Sequence, residues 1–181
     1  MKKTISLFLV LALMLPCIFV HASANKISSE ISASPLEGYI LPENVVCGST
    51  ATVIRDDTTG EFTVMDDSTA FSASPYAVTR LEFAGVNPDV AVIGSDNIVI
   101  SSGETSYINI TTCDWSPEHY IIHVGFWNIN TNYTQFYELT GGWVTDEELE
   151  FSNIPAGTYR VYVENTGSSV LTTGIMRYTV S

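Results

Sequence analysis

The chain predicts an all-β fold, a mainly antiparallel β-sandwich of jelly-roll or Ig-like type, and three observations carry that reading. Beyond residue 24, valine and isoleucine number 29 against six leucines and eight alanines, and threonine adds 19 more β-branched side chains. Such side chains fit a pleated, half-buried surface better than a helix. No window of about eleven residues carries a clean 3.6-residue apolar period with caps, so almost no helix is expected past the N-terminal segment. Short apolar runs instead recur at close spacing between Gly, Pro, Asn, Asp and Ser, the punctuation of a sandwich or barrel.

Taken in order, the first element is a leader. Lys2 and Lys3 precede an apolar stretch from Ile5 to Val20, broken near its end by Pro16, and Ala22-Ser23-Ala24 follows in the small-x-small pattern of a signal peptidase site. The sequence therefore predicts a cleaved signal peptide over 1–24, cleavage between Ala24 and Asn25, and secretion. Cys17 does not read as a lipid-attachment site, because Pro16 stands where a small residue is required. A single domain is expected over 25–181, with 25–37, serine-rich and weakly apolar, loosely ordered.

The full chain carries 7 basic and 20 acidic side chains, a net charge of −13. Without the leader, which holds two lysines and no acid, five basic residues face 20 acidic ones and the charge is −15. A surface this acidic repels phosphate backbones and anionic lipid headgroups, so no nucleic acid and no membrane is expected among the partners. No second apolar run approaches the roughly 18 residues of a membrane span.

The clearest hairpin is Ala51–Asp67, where Thr52–Arg55 and Glu61–Met65 flank an Asp56-Asp57-Thr58-Thr59-Gly60 turn. Further strands are expected at 78–83, 90–93, 97–101, 105–112, 120–129, 133–139, 148–151, 158–164 and 171–180. Alternation in Thr158–Glu164 places Tyr159, Val161 and Val163 on a core face and Thr158, Arg160, Tyr162 and Glu164 on a wet one. The run Tyr120–Ile129 is apolar on both faces apart from His123 and Asn128, so it reads as a central strand covered on both sides.

Trp115-Ser116-Pro117, Val124-Gly125-Phe126-Trp127-Asn128, Gly141-Gly142-Trp143 and Phe151-Ser152-Asn153-Ile154-Pro155-Ala156-Gly157-Thr158-Tyr159 together give residues 100–181 a resemblance to small exported β-sandwich proteins of Gram-positive bacteria. The most distinctive element is Ile154–Tyr159, a turn leading into a core strand. It also occurs in unrelated surface sandwiches, so the resemblance implies a fold class and export but no activity and no catalytic residues.

Cys47 and Cys113 are the two cysteines left after the leader. In an exported chain they read as a disulfide pair closing a loop of about 66 residues, worth roughly 4 kcal/mol in the chain-entropy model; two separate buried thiols are the alternative. His119 and His123 are spaced i, i+4, which brings two ligands together on a helix, but four residues of strand span about 13 Å. A shared metal is therefore not expected. No Gly-x-Ser-x-Gly occurs, and a carboxylate-dependent hydrolase needs two acids about 5–10 Å apart, which twenty acids neither establish nor exclude. Asp56, Asp57, Asp66 and Asp67 flank the hairpin and offer the hard oxygens that suit calcium, although the span lacks the acids of an EF-hand loop. Asp146-Glu147-Glu148 read as a loop. Solvation of an exported surface is the stronger explanation of these acids.

Trp127, Trp143, Tyr133 and Tyr137 are the candidates for stacking on sugar rings or on a partner's apolar surface. The function expected is an exported, non-enzymatic binding or structural module acting on an extracellular ligand or protein. A carbohydrate-binding module with structural calcium is the first alternative and a small carboxylate-dependent hydrolase the second.

Overall fold

A computed structural model describes residues 29–55, 59, 61–64 and 77–181. They form fourteen strands and one short 3-10 turn, η1 (Pro42–Asn44): β1 Glu30–Ile31, β2 Leu36–Tyr39, β3 Val45–Cys47, β4 Ser49–Arg55, β5 Phe62–Val64, β6 Ala77–Glu82, β7 Ala91–Ile93, β8 Ile98–Ile100, β9 Ser106–Ser116, β10 Ile122–Asn128, β11 Tyr133–Thr140, β12 Trp143–Phe151, β13 Gly157–Asn165 and β14 Thr173–Val180. Two sheets pack face to face, so the expected all-β sandwich is the fold. Sheet A runs β1-β11-β10-β13-β7-β3, with β2 also on β11 and β8 also on β13; sheet B runs β12-β9-β14-β6-β4-β5. Every pairing is antiparallel except β3 with β7.

The interior is built from the alternating faces of the long strands. Val124 and Phe126 of β10, Tyr159, Val161 and Val163 of β13, and Ile108 and Ile110 of β9 are all within 2% of full burial. Burying a side chain of this size contributes about 1.5–3 kcal/mol. β9 holds its face inward only because its phase slips midway. Ile108 and Ile110 face the core on even numbers, whereas Cys113 and Trp115 do so on odd ones. The slip falls at Thr111, where β14 skips a residue, Arg177 pairing Thr112 and Tyr178 pairing Ile110. β12 slips in step: Val144 and Leu149, five residues apart, are both buried, and Asp146 between them has φ +53°. The bulge is what lets two incompatible phases share one core.

The Ile154–Tyr159 turn has a local cause. Ile154 is buried, and the Tyr159 hydroxyl donates to the Pro155 carbonyl at 2.6 Å, closing the turn back onto itself. A Cβ at Gly157 would collide with the Asn128 amide, so this corner requires glycine.

Several expectations need amendment. Residues 29–37, expected to be loose, include β1 and the start of β2, both hydrogen-bonded to β11; residues 1–28, with the expected signal peptide, lie outside the described residues. Asp146, Glu147 and Glu148, expected in a loop, lie within β12, at one edge of sheet B. Cys47 and Cys113 are free thiols, not a disulfide: Cys47 is exposed at the end of β3 in sheet A, while Cys113 is fully buried in β9 between Val144 and Met176 of sheet B. Among the described residues, no helix is long and apolar enough to cross a membrane.

Candidate functional site

The outer face of sheet A, turned away from sheet B, carries the chain's most organised cluster of polar and aromatic side chains. β2 leaves one edge of the sheet beside β11, and β3 joins the opposite edge beside β7. The chain between them, residues 40–44, therefore straps across the face. Ile40 and Val45 pin the strap onto a second, smaller apolar cluster formed by Ala91, Ile93, Trp127, Phe136 and Tyr162. Tyr162, expected to be wet, is fully buried here, and that burial together with Glu164 pushes its phenol well above the usual range.

Beside this cluster lies a row of three residues set by strand register. His123 of β10 pairs with Glu138 of β11 on one side and Glu164 of β13 on the other. Its Nδ1 lies 2.9 Å from Glu164 Oε2 and its Nε2 lies 3.4 Å from Glu138 Oε1. The imidazole stacks on the Phe136 ring at 4.0 Å between centroids and is 16% exposed. The carboxylates address opposite nitrogens, so the three do not converge on a common point. Among the described residues no group of three or more His, Cys, Asp or Glu side chains is placed to hold a metal ion. His119 is elsewhere, set edge-on to Tyr120 at 4.5 Å.

The four stacking candidates are not brought together. Trp127 lies under the strap, and Tyr137 is buried with its hydroxyl donating to the Glu150 carbonyl at 2.8 Å. Trp143 is half-buried and lines a groove of about 350 Å³ with Ser29, Ile31, Thr145 and Glu147, between the edges of the two sheets. Tyr133 meets an exposed ring. Tyr39 of β2 pairs with it, stands edge-on to it at 5.9 Å, and is 75% exposed. Burial and the neighbouring Glu37 carboxylate raise the Tyr133 phenol, so it stays neutral.

Tyr39 and Leu41 are the surface residues that the sequence reading missed. The signal was present in Tyr39-Ile40-Leu41, where one inward residue is flanked by two large apolar ones. Of the eight large apolar side chains exposed among the described residues, four (Leu36, Tyr39, Leu41 and Val46) fall within residues 36–46.

A second cavity, of about 360 Å³, opens where β3 passes into β4, lined by Cys47, Gly48, Phe83, Val86 and Val90. Cys113 is no nucleophile, since burial and adjacent Asp114 push its thiol far above the ordinary value. The calcium candidates Asp56, Asp57, Asp66 and Asp67 lie outside the described residues. No protein-family model matches the chain, and no curated protein matches it at a significant level.

Proposed function

We propose that the chain is an exported, non-enzymatic binding module whose contact surface is the β2–strap–β3 segment. Export rests on the dibasic start, apolar run and Ala22-Ser23-Ala24 of the leader. The observation that carries the binding reading is the concentration of exposed Leu36, Tyr39, Leu41 and Val46 on eleven consecutive residues. Large apolar side chains left in water at close sequence spacing along one segment mark an interaction surface more often than scattered ones do. Glu37 and Glu43 punctuate the same stretch, which favours a partner with an apolar surface and basic flanks.

The test compares retention of the chain on immobilised proteins and insoluble polysaccharides with that of a Tyr39→Ser/Leu41→Ser double variant. Both residues are exposed, so melting temperature should move little, whereas retention should fall by roughly tenfold or more. Retention indifferent to the double substitution would sink this surface, and turnover of a substrate by the wild type would sink the non-enzymatic reading.

One observation favours a second reading, carbohydrate binding. Tyr39 presents an open ring whose orientation is held by Tyr133, the arrangement a sugar ring needs for stacking. In affinity electrophoresis with soluble glycans, Tyr39→Ala would then abolish retardation while Leu41→Ser would leave it intact.

A further inference from the structure

We propose that the Glu138–His123–Glu164 row is a protonation-operated latch that tightens β1 and β2 onto sheet A in mildly acidic surroundings. The proposal concerns regulation of the contact surface described above; it depends on that reading for its use, not for its occurrence.

Neutral imidazole has one N–H to give, and here two carboxylates compete for it from opposite sides. Whichever tautomer forms, a nitrogen lone pair faces a carboxylate oxygen. Imidazolium has two N–H donors and a positive charge, bonding Glu164 through Nδ1 at 2.9 Å and attracting Glu138 as an ion pair at 3.4 Å from Nε2. The proton comes from solvent, reached through the exposed portion of the His123 and Glu138 side chains, and imidazole is the side chain that changes charge between about pH 5 and 8.

The groups around the row reinforce the same direction. Arg160 of β13, at the Trp127 position of the register, is turned to Asn97, whose Oδ1 accepts from its Nε at 3.0 Å. Glu37 of β2 engages Tyr133 on the opposite side of the strand, Glu43 of η1 is exposed, and Glu30 of β1 pairs at Thr140. β7 brings Ala91 beside Glu164 and adds no charge, and Tyr162 is a neutral phenol. Among the described residues, His123 is the cation that reaches the two carboxylates from these elements.

Two contacts pass the change to β1 and β2. Phe136, stacked on the imidazole, packs with Ile40 and lies so close to Gly38 that a Cβ there would stand 3.3 Å from its ring. The peptide of Glu138 exchanges bonds with Ser32 just past β1, its N–H donating to Ser32 Oγ at 3.1 Å and its carbonyl accepting from Ser32 N–H at 3.0 Å. Fixing the Phe136 ring and the Glu138 side chain thus stiffens the part of β11 that anchors both strands.

The test is amide hydrogen exchange across residues 30–40, corrected for intrinsic rates, at about pH 5.5 and 8. Wild type should be several-fold better protected at the lower pH. His123→Gln and Glu164→Gln should each erase the difference, with melting curves at both values confirming that each variant is folded. Equal protection of wild type at both pH values, or a difference that survives in the His123→Gln protein, overturns the latch. Exchange is measured without any ligand, so a failure of the binding reading at Tyr39 and Leu41 leaves this result legible by itself.

Discussion

Gly125 sits in mid-strand on β10, and a Cβ there would collide with the carbonyl oxygen of Gln135 on the neighbouring strand. The obstacle is backbone held in a ladder, so no rotamer can yield. Gly125→Ala is therefore expected to cost about 2 kcal/mol or more, read as a lowered urea midpoint with an unchanged slope. Asn165, fully buried at the end of β13, makes a comparable test of polar satisfaction. Its amide donates to the carbonyls of Val86 and Ser169, both at 2.9 Å, and its Oδ1 accepts from Gly167 N–H. Asn165→Ala leaves those groups unpaired inside the protein and should cost about 3 kcal/mol by the same measurement. The sequence offered no hint of either role, because both depend on what a distant strand brings alongside.

Among the elements, the phase slip in β9 is the least replaceable. Deleting Thr111 would turn Cys113 and Trp115 out of the core or Ile108 and Ile110 out with the preceding half, since a one-residue shift reverses every side chain. The expected outcome is loss of cooperative melting and of near-UV dichroism, while a Thr111→Val protein melts close to wild type. The contrast between β13 and β12 explains what could be read in advance. Thr158–Glu164 alternates without interruption, and its core face was legible from period two alone. β12 interrupts its alternation with four consecutive exposed residues, Thr145 to Glu148, so half a strand read as a loop. Period two also says which residues share a face but not what lies over it. Tyr162 looked wet because the strap that buries it comes from residues 40–45, more than a hundred positions away.

At the scale of the molecule, the cysteine pair shows where inference from compartment fails. Two thiols in a chain expected to be exported suggested a bridge, but their strands belong to different sheets, one thiol facing solvent and the other the core. Native alkylation should modify Cys47 alone, with Cys113 reacting only in denaturant; a mass two units below the dithiol form would contradict this. Buried acids of high pKa set the alkaline limit of stability. Cys113 and Tyr178 are both held protonated by burial in the folded state. Their contribution is full below the unfolded-state values, about 8.5 for thiol and 10 for phenol, and falls as pH rises past them because only the unfolded chain ionises. Unfolding free energy should decline from about pH 8.5 upward, and Cys113→Ala should flatten the first part of that decline.

β14 lies between β9 and β6, in the middle of sheet B, although it is the final strand of the chain. Until it arrives, β12-β9 and β6-β4-β5 are two fragments with no seam between them. Sheet B is thus continuous only once residues 173–180 have paired with both neighbours.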